Sequence, residues 1–166
     1  MRLWLARHGA TDWGEAGRLV GWRDVPLNGA GRFQARRLGE SLAGANFNGR
    51  WSSDLLRATE TARLAVGETA CDARLRELDF GHLEGKTWDE CAVEVKESLL
   101  RFDGFTAPGG ESVAELRSRV LEFVDALSDG DHLLFTHGGV VRILLREVSR
   151  DGLVAPGGVV RVSWDR

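Results

Sequence analysis

Two histidines stand in the same local setting. Leu3-Trp4-Leu5-Ala6-Arg7-His8-Gly9 and Leu133-Leu134-Phe135-Thr136-His137-Gly138-Gly139 each run from an apolar segment into a polar, glycine-containing loop. A short apolar run stopped in this way reads as a buried strand. In an open α/β sheet the loops at the carboxyl ends of parallel strands share one edge, where ligands bind. His8 and His137 are therefore expected to face one pocket. The glycines remove side chains where a ligand must approach backbone N–H groups, and a helix starting near Gly139 would aim its positive end at an anion. Arg7 and Arg57 add two permanently charged forks suited to bidentate contact with phosphate oxygens. Two imidazoles and two guanidiniums around an anion suggest phosphoryl transfer, whereas acyl transfer would want a Ser or Cys nucleophile beside its base.

The elements that must hold these residues can be read from pattern and capping. Residues 14 to 31 carry Gly, Pro26 and Asn28 without a sustained period and read as a loop. Asn28 then caps a helix with Gly31, Ala35, Leu38 and Leu42 on one face. Arg50 to Ser53 is a brief strand, after which Asp54 is expected to cap a helix running to about Val66, with Arg57 in its first turn. Thr87 with Glu90 opens a helix to about Leu100, and Ser112 with Glu115 opens one whose stripe is Val113, Leu116, Val120, Phe123, Val124 and Leu127. Val140, Val141, Leu144, Leu145 and Val148 form a further helical pattern, and residues 159 to 164 have strand composition. Strands alternating with helices imply an α/β fold, a three-layer αβα arrangement with a mostly parallel sheet covered by helices.

Length and composition bound the rest. The 166 residues, 43% hydrophobic and 28% charged with three prolines, suit a single packed domain over residues 1 to 166 and exclude disordered and collagen-like classes. No apolar run reaches the ~20 residues of a spanning helix, and Arg7 interrupts the N-terminal apolar stretch before a signal-peptide core can form. A cytoplasmic location is the expectation. The net charge of -3 argues against nucleic-acid or membrane partners. Cys71 and Cys91 read as a pair of buried thiols rather than a disulfide framework or metal cluster.

In order along nearly the whole chain, blocks of this sequence resemble the histidine phosphatase superfamily, the phosphoglycerate mutase-like phosphatases. They are Arg7-His8-Gly9-Ala10-Thr11-Asp12-Trp13; Gly21-Trp22-Arg23-Asp24 with Leu27 and Gly31; Ser52-Ser53-Asp54-Leu55-Leu56-Arg57-Ala58 with Thr61-Ala62; Leu75-Arg76-Glu77-Leu78-Asp79-Phe80-Gly81 with Glu84-Gly85; Pro108-Gly109-Gly110-Glu111-Ser112; and Thr136-His137-Gly138-Gly139. The resemblance implies that neutral His8 attacks phosphorus in line to give a phosphohistidine. It implies that Arg7, Arg57 and His137 stabilise the equatorial oxygens, with Thr11 and Gly138 also at the phosphate. Glu77 would protonate the departing alcohol and then activate water, a double role that burial should assist by raising its pKa. No cofactor and no metal are called for, because arginines and imidazoles supply the positive charge. One departure stands out: the family's opening motif usually ends Trp-Asn, and here Trp13 is followed by Gly14.

The expected activity is hydrolysis of a small-molecule phosphate ester, in the manner of small bacterial α-ribazole phosphate phosphatases. Phosphoglycerate mutase-type transfer is the first alternative. Full mutases carry a longer insertion with extra basic residues between the acid block and the Gly-Gly-Glu-Ser block, whereas residues 86 to 108 here offer only Lys86, Lys96 and Arg101. A non-catalytic phosphate-sensing or interaction domain is the second. Gly81 to Thr87 imitates a nucleotide P-loop but has one residue too few between its glycines. His82 and His132 read as structural, His82 as a candidate for the rim, and most of the six tryptophans as packing residues. Arg142 is placed equally well in the pocket or in solvent. Oligomeric state and the identity of the ester are left open.

Overall fold

The computed structural model describes residues 1–165. Among them, β1 (Arg2–Arg7), β2 (Gly49–Ser52), β3 (Ala70–Cys71), β4 (Asp131–Thr136) and β5 (Val159–Ser163) form one sheet in the spatial order β3-β2-β4-β1-β5. The β1–β4, β2–β4 and β2–β3 pairs are parallel, and β5 closes the far edge antiparallel to β1. The helices are α1 (Asp12–Glu15), α2 (Gly29–Ser41), α3 (Leu56–Val66), α4 (Val93–Arg101), α5 (Val113–Asp125) and α6 (Gly138–Glu147). The layers are helix, mostly parallel sheet, helix.

Side chains alternate across a strand, so each inner strand feeds two cores. Ala6 of β1 and Leu133 and Phe135 of β4 meet Leu38 and Leu42 at the end of α2 and Ala62 of α3 on one face. Leu3, Leu5 and Leu134 point the other way, into a larger core built by α5, α6, the end of α4 and the segment around Leu75 and Leu78. Burial on both faces is why β4 reads as an uninterrupted apolar run. The polar loops after β1 and β4 are thereby forced to the same carboxyl edge.

Asn28 caps α2 as its sequence context demands, its side chain accepting the Gly31 N–H at 2.9 Å. Ser112 and Glu115 close a reciprocal capping box on α5. Other expectations need correction. Asp54 does not cap α3, because its carboxylate takes both Arg76 Nε and Nη2 at 2.7 and 2.6 Å. Leu55 occupies the cap position without a side-chain bond, and the Leu56 N–H is met from a distance by Asp24 at 2.6 Å. The Thr87–Glu90 capping box forms, but over one 3-10 turn, Trp88–Glu90; the backbone then extends through buried Cys91 and Ala92, and α4 starts only at Val93. Residues 14 to 31 are mostly loop, although Thr11 caps the one-turn α1 at their start. Cys91 is buried, but Cys71 is exposed because β3 is a two-residue edge strand paired on one side only. Among the described residues no helix is long and apolar enough to cross a membrane.

Replacing Asn28 by Ala removes a capping acceptor and should cost about 1 kcal/mol of folding stability. A denaturant titration would show it as a lower midpoint with an unchanged slope.

Candidate active site

Arg7 pairs with Thr136 across β1 and β4, so His8 and His137 are each the first residue beyond the ladder. Their ring centroids lie 5.2 Å apart. His8 Nδ1 is 2.7 Å from the Gly9 carbonyl oxygen. A carbonyl can only accept, so the ring proton sits on Nδ1 and Nε2 keeps its lone pair. Burial, with help from the Arg57 and Arg7 charges and against the Gly9 hydrogen bond, pushes the His8 pKa down to about 3. The imidazole is neutral at neutral pH.

His137 is fully buried, its Nε2 2.8 Å from Ser53 Oγ. Ser53 Oγ accepts the Leu55 N–H, and among the described residues the acceptor placed to take its own proton is His137 Nε2. The ring proton of His137 is then on Nδ1, which is buried without a partner. Burial, followed by the charge of Arg57, holds this imidazole well below its ordinary pKa, so it stays a neutral donor.

Arg57, in the first turn of α3, is also fully buried. Its Nη1 donates to the Arg23 carbonyl at 3.1 Å and its Nη2 to the Gly21 carbonyl at 2.7 Å, while Nε points at His8 Nε2 at 3.3 Å. Much of this fork therefore holds the 20–23 loop, and one edge faces His8. Arg7 gives Nη1 to the Val154 carbonyl at 2.8 Å and keeps a buried, unpartnered Nε. Burial pushes both guanidinium pKa values down and the Glu77 carboxylate opposes it, which places that carboxylate within electrostatic reach of both. The buried donors Arg7 Nε and His137 Nδ1 make a pocket short of one anion.

Glu77 is half-buried, not lodged in an apolar pocket, and its carboxylate accepts the Leu78 N–H at 2.9 Å and the Gly139 N–H at 3.1 Å. The positive end of α6 thus meets the protein's own carboxylate. Gly138 opens α6 beside Arg7, with room at its α-carbon bounded by that guanidinium. Thr11 is buried at the same edge with its Oγ1 accepting the Gly14 N–H, so it serves first as a cap. Gly9 has a different purpose from the one expected of it: its N–H goes to Thr61 Oγ1 at 3.0 Å, and a side chain there would strike the backbone of Gly31. Arg142 does not enter the pocket; it bonds Asp151 and the Leu100 carbonyl, joining α6 to the end of α4. Gly81–Leu83 is a 3-10 turn against Pro108, not a phosphate loop. His132 is buried on the Ser128 carbonyl, and His82 lies near the surface beside Gly109.

The family model for the histidine phosphatase superfamily, branch 1, matches residues 3–156. The chain belongs to that superfamily. It is 32% identical over 96% of its length to a 2,3-bisphosphoglycerate-dependent phosphoglycerate mutase of Azorhizobium caulinodans, covering 85% of that protein. Among solved structures it is similar to a phosphoglycerate mutase from Thermus thermophilus, with 49% identity and a TM-score of 0.94, covering 100% of this chain and 95% of the other. A candidate alpha-ribazole-5'-P phosphatase of Escherichia coli superposes with a TM-score of 0.83 at 27% identity, covering 97% and 89%.

Several residues of this histidine phosphatase fold take part in the site without having been assigned a role from sequence. Ser53 fixes the His137 tautomer. Thr61, one turn after Arg57, ties the Gly9 N–H to the Arg57 carbonyl; the i, i+4 spacing was the available signal. Arg119 of α5 gives Nε and Nη2 to Glu111 and reaches the carbonyls of Arg74, Arg76 and Glu77, all at 2.6–2.8 Å, pinning the segment that presents Glu77. Nothing in the sequence links position 119 to position 77.

Because folded His8 binds a proton only near pH 3 while the unfolded chain does so near ~6.5, the unfolded state takes up more protons in between. Stability should fall as pH drops from 6.5 towards 3, by at most roughly 1.4 kcal/mol per pH unit from this group. Melting curves of His8→Gln should show a shallower acid slope than wild type. Ser53→Ala leaves His137 Nε2 buried without a donor and should destabilise the fold by about 1–3 kcal/mol in the same assay.

Proposed function

We propose that this chain is a phosphomonoesterase that acts on a small-molecule phosphate ester through a phospho-His8 intermediate. The observation that carries the reading is the state of His8. A neutral imidazole with its proton committed to the Gly9 carbonyl keeps Nε2 unprotonated beside His137, its lone pair accepting a long 3.3 Å bond from Arg57 Nε that an incoming phosphoryl group would displace. In the first step Nε2 attacks phosphorus in line and the P–O bond to the alcohol breaks. Glu77 gives its proton to the departing oxygen, and the imidazolium charge that develops is met at Nδ1 by the Gly9 carbonyl. In the second, Glu77 as carboxylate takes a proton from water, whose oxygen attacks phosphorus and releases His8. The unpartnered Arg7 Nε and His137 Nδ1, with the buried Arg57, supply donors for the equatorial oxygens. Preorganised guanidiniums take the place that a cation occupies in many phosphoryl-transfer sites.

Transfer back to substrate, as in a mutase, is the second reading, favoured by the names of the relatives. Hydrolysis is preferred because the segment between Lys86 and Pro108 is short and supplies only Lys86, Lys96 and Arg101 as cations. Arg101 lies by Asp103, while Arg142 and Arg146 behind it are both bound to Asp151.

Incubation with a 32P-labelled ester and an alkaline quench, chosen because a phosphoramidate is acid-labile, should leave label on wild type and none on His8→Ala. Steady-state hydrolysis of p-nitrophenyl phosphate should fall about a thousandfold or more in His8→Ala and about a hundredfold or more in Glu77→Gln. Rapid isomerisation of 3-phosphoglycerate primed with 2,3-bisphosphoglycerate, without phosphate release, would overturn hydrolysis in favour of the mutase. Phosphate binding with no turnover of any ester between about pH 5 and 8 would point to a sensor.

A further inference from the structure

Trp22 is 40% exposed beside the site and is nonetheless held at three points. Its backbone N–H donates to Glu84 Oε1 at 2.6 Å, and its indole Nε1–H donates to the carbonyl of Glu77 at 2.8 Å. One face of the ring is covered by the Arg76 guanidinium, whose carbon lies 4.9 Å from the ring centroid and which is itself fixed by two bonds to Asp54. A surface tryptophan anchored through its backbone, its ring nitrogen and one face, with the rest of the ring in water, is a rigid apolar surface that packing does not explain.

The position of that surface matters because Glu77 is the residue that meets the departing alcohol. Trp22 Nε1–H is bonded to the main chain of Glu77 and the Gly21 carbonyl just before it receives Arg57 Nη2, so the ring stands at the rim of the site on the Glu77 side. Beyond the Arg76 guanidinium, which is paired with Asp54, the groups beside the ring are mainly acidic. A shallow cavity of about 170 Å³ beside Trp22 is lined by Asp79, Glu111, Glu115 and Gly110. Glu111 is neutralised by Arg119, whereas Asp79 accepts the Gly81 N–H and Glu115 bonds Ser112. Asp79 and Glu115 thus bond a backbone N–H and a hydroxyl, not a cation, next to the ring.

We propose that Trp22 is the platform for the leaving group, and that the substrate class is phosphate monoesters of flat, apolar alcohols that are neutral or cationic, not phosphorylated acids. A carboxylate on the leaving group would be repelled by Asp79 and Glu115, and a small polyol would leave the ring in water. This inference rests on the phosphomonoesterase reading and deepens it.

The test compares 1-naphthyl phosphate, glycerol 2-phosphate and 3-phosphoglycerate on wild type, Trp22→Ala, Trp22→Phe and Glu115→Gln. An aromatic contact is worth up to about tenfold in affinity. Trp22→Ala should raise KM for 1-naphthyl phosphate about tenfold and leave KM for glycerol 2-phosphate within about twofold, and Trp22→Phe should restore most of the difference. Glu115→Gln keeps the capping geometry of α5 and should improve kcat/KM for 3-phosphoglycerate severalfold. Both Trp22 variants lose the indole bond to Glu77, so a purely structural role would lower kcat for all three esters alike, and that outcome overturns the platform. Equal wild-type kcat/KM for the naphthyl and glycerol esters also overturns it. Release of phosphate from none of the esters would instead defeat the phosphatase reading itself.

Discussion

A fully buried guanidinium with no carboxylate in direct contact is expensive to hold, and the site is organised around meeting that cost at Arg57. The backbone meets it: carbonyls of Gly21 and Arg23 are turned inward to receive Arg57, and the loop between α1 and α2 takes its path from doing so. Asp24, the next residue, bonds the open end of α3 and so holds the very turn that carries Arg57. Loop and helix are therefore mutually dependent. The same trapped charge, after burial itself, keeps His8 and His137 from protonating. The neutrality of both imidazoles and the path of the loop are thus tied to one cation that water cannot reach.

Around that cation, hydrogen bonds settle where protons reside. The Gly9 carbonyl puts the His8 proton on Nδ1, and the Ser53 hydroxyl puts the His137 proton on Nδ1. Identical tautomers serve opposite ends, since one ring offers a lone pair to the pocket and the other an N–H. The Glu77 carboxylate rests on two backbone N–H groups, one from the N-terminus of α6. The start of α6 is thus met by a side chain of the protein itself.

The strands and the helices with capping signals were legible because both reflect local chemistry. The apolar runs ending at Arg7 and Thr136 located the two histidines, and Asn28 and Ser112 marked where α2 and α5 begin. Asp54 misled because a good capping residue is equally a good partner for an arginine, and Arg76 arrives from 22 residues away. Thr87 and Glu90 did cap, but a capping box fixes only a first turn, and burial of Cys91 ended it. Arg7, His8, Arg57 and His137 come together as their blocks suggested. Arg119, Asp24 and Ser53 could not be placed from sequence, because their partners are backbone groups or side chains brought near only by folding.

The two imidazoles continue adjacent rungs of β1 and β4, and their 5.2 Å centroid separation lies close to the ~4.8 Å spacing of neighbouring strands. The sheet acts as a ruler. The span between the two imidazoles is set by the spacing of hydrogen-bonded backbone at the centre of the sheet. Loops at the carboxyl edge can lengthen, shorten or move without altering that gauge, because the two rings are spaced by the ladder and not by the loops.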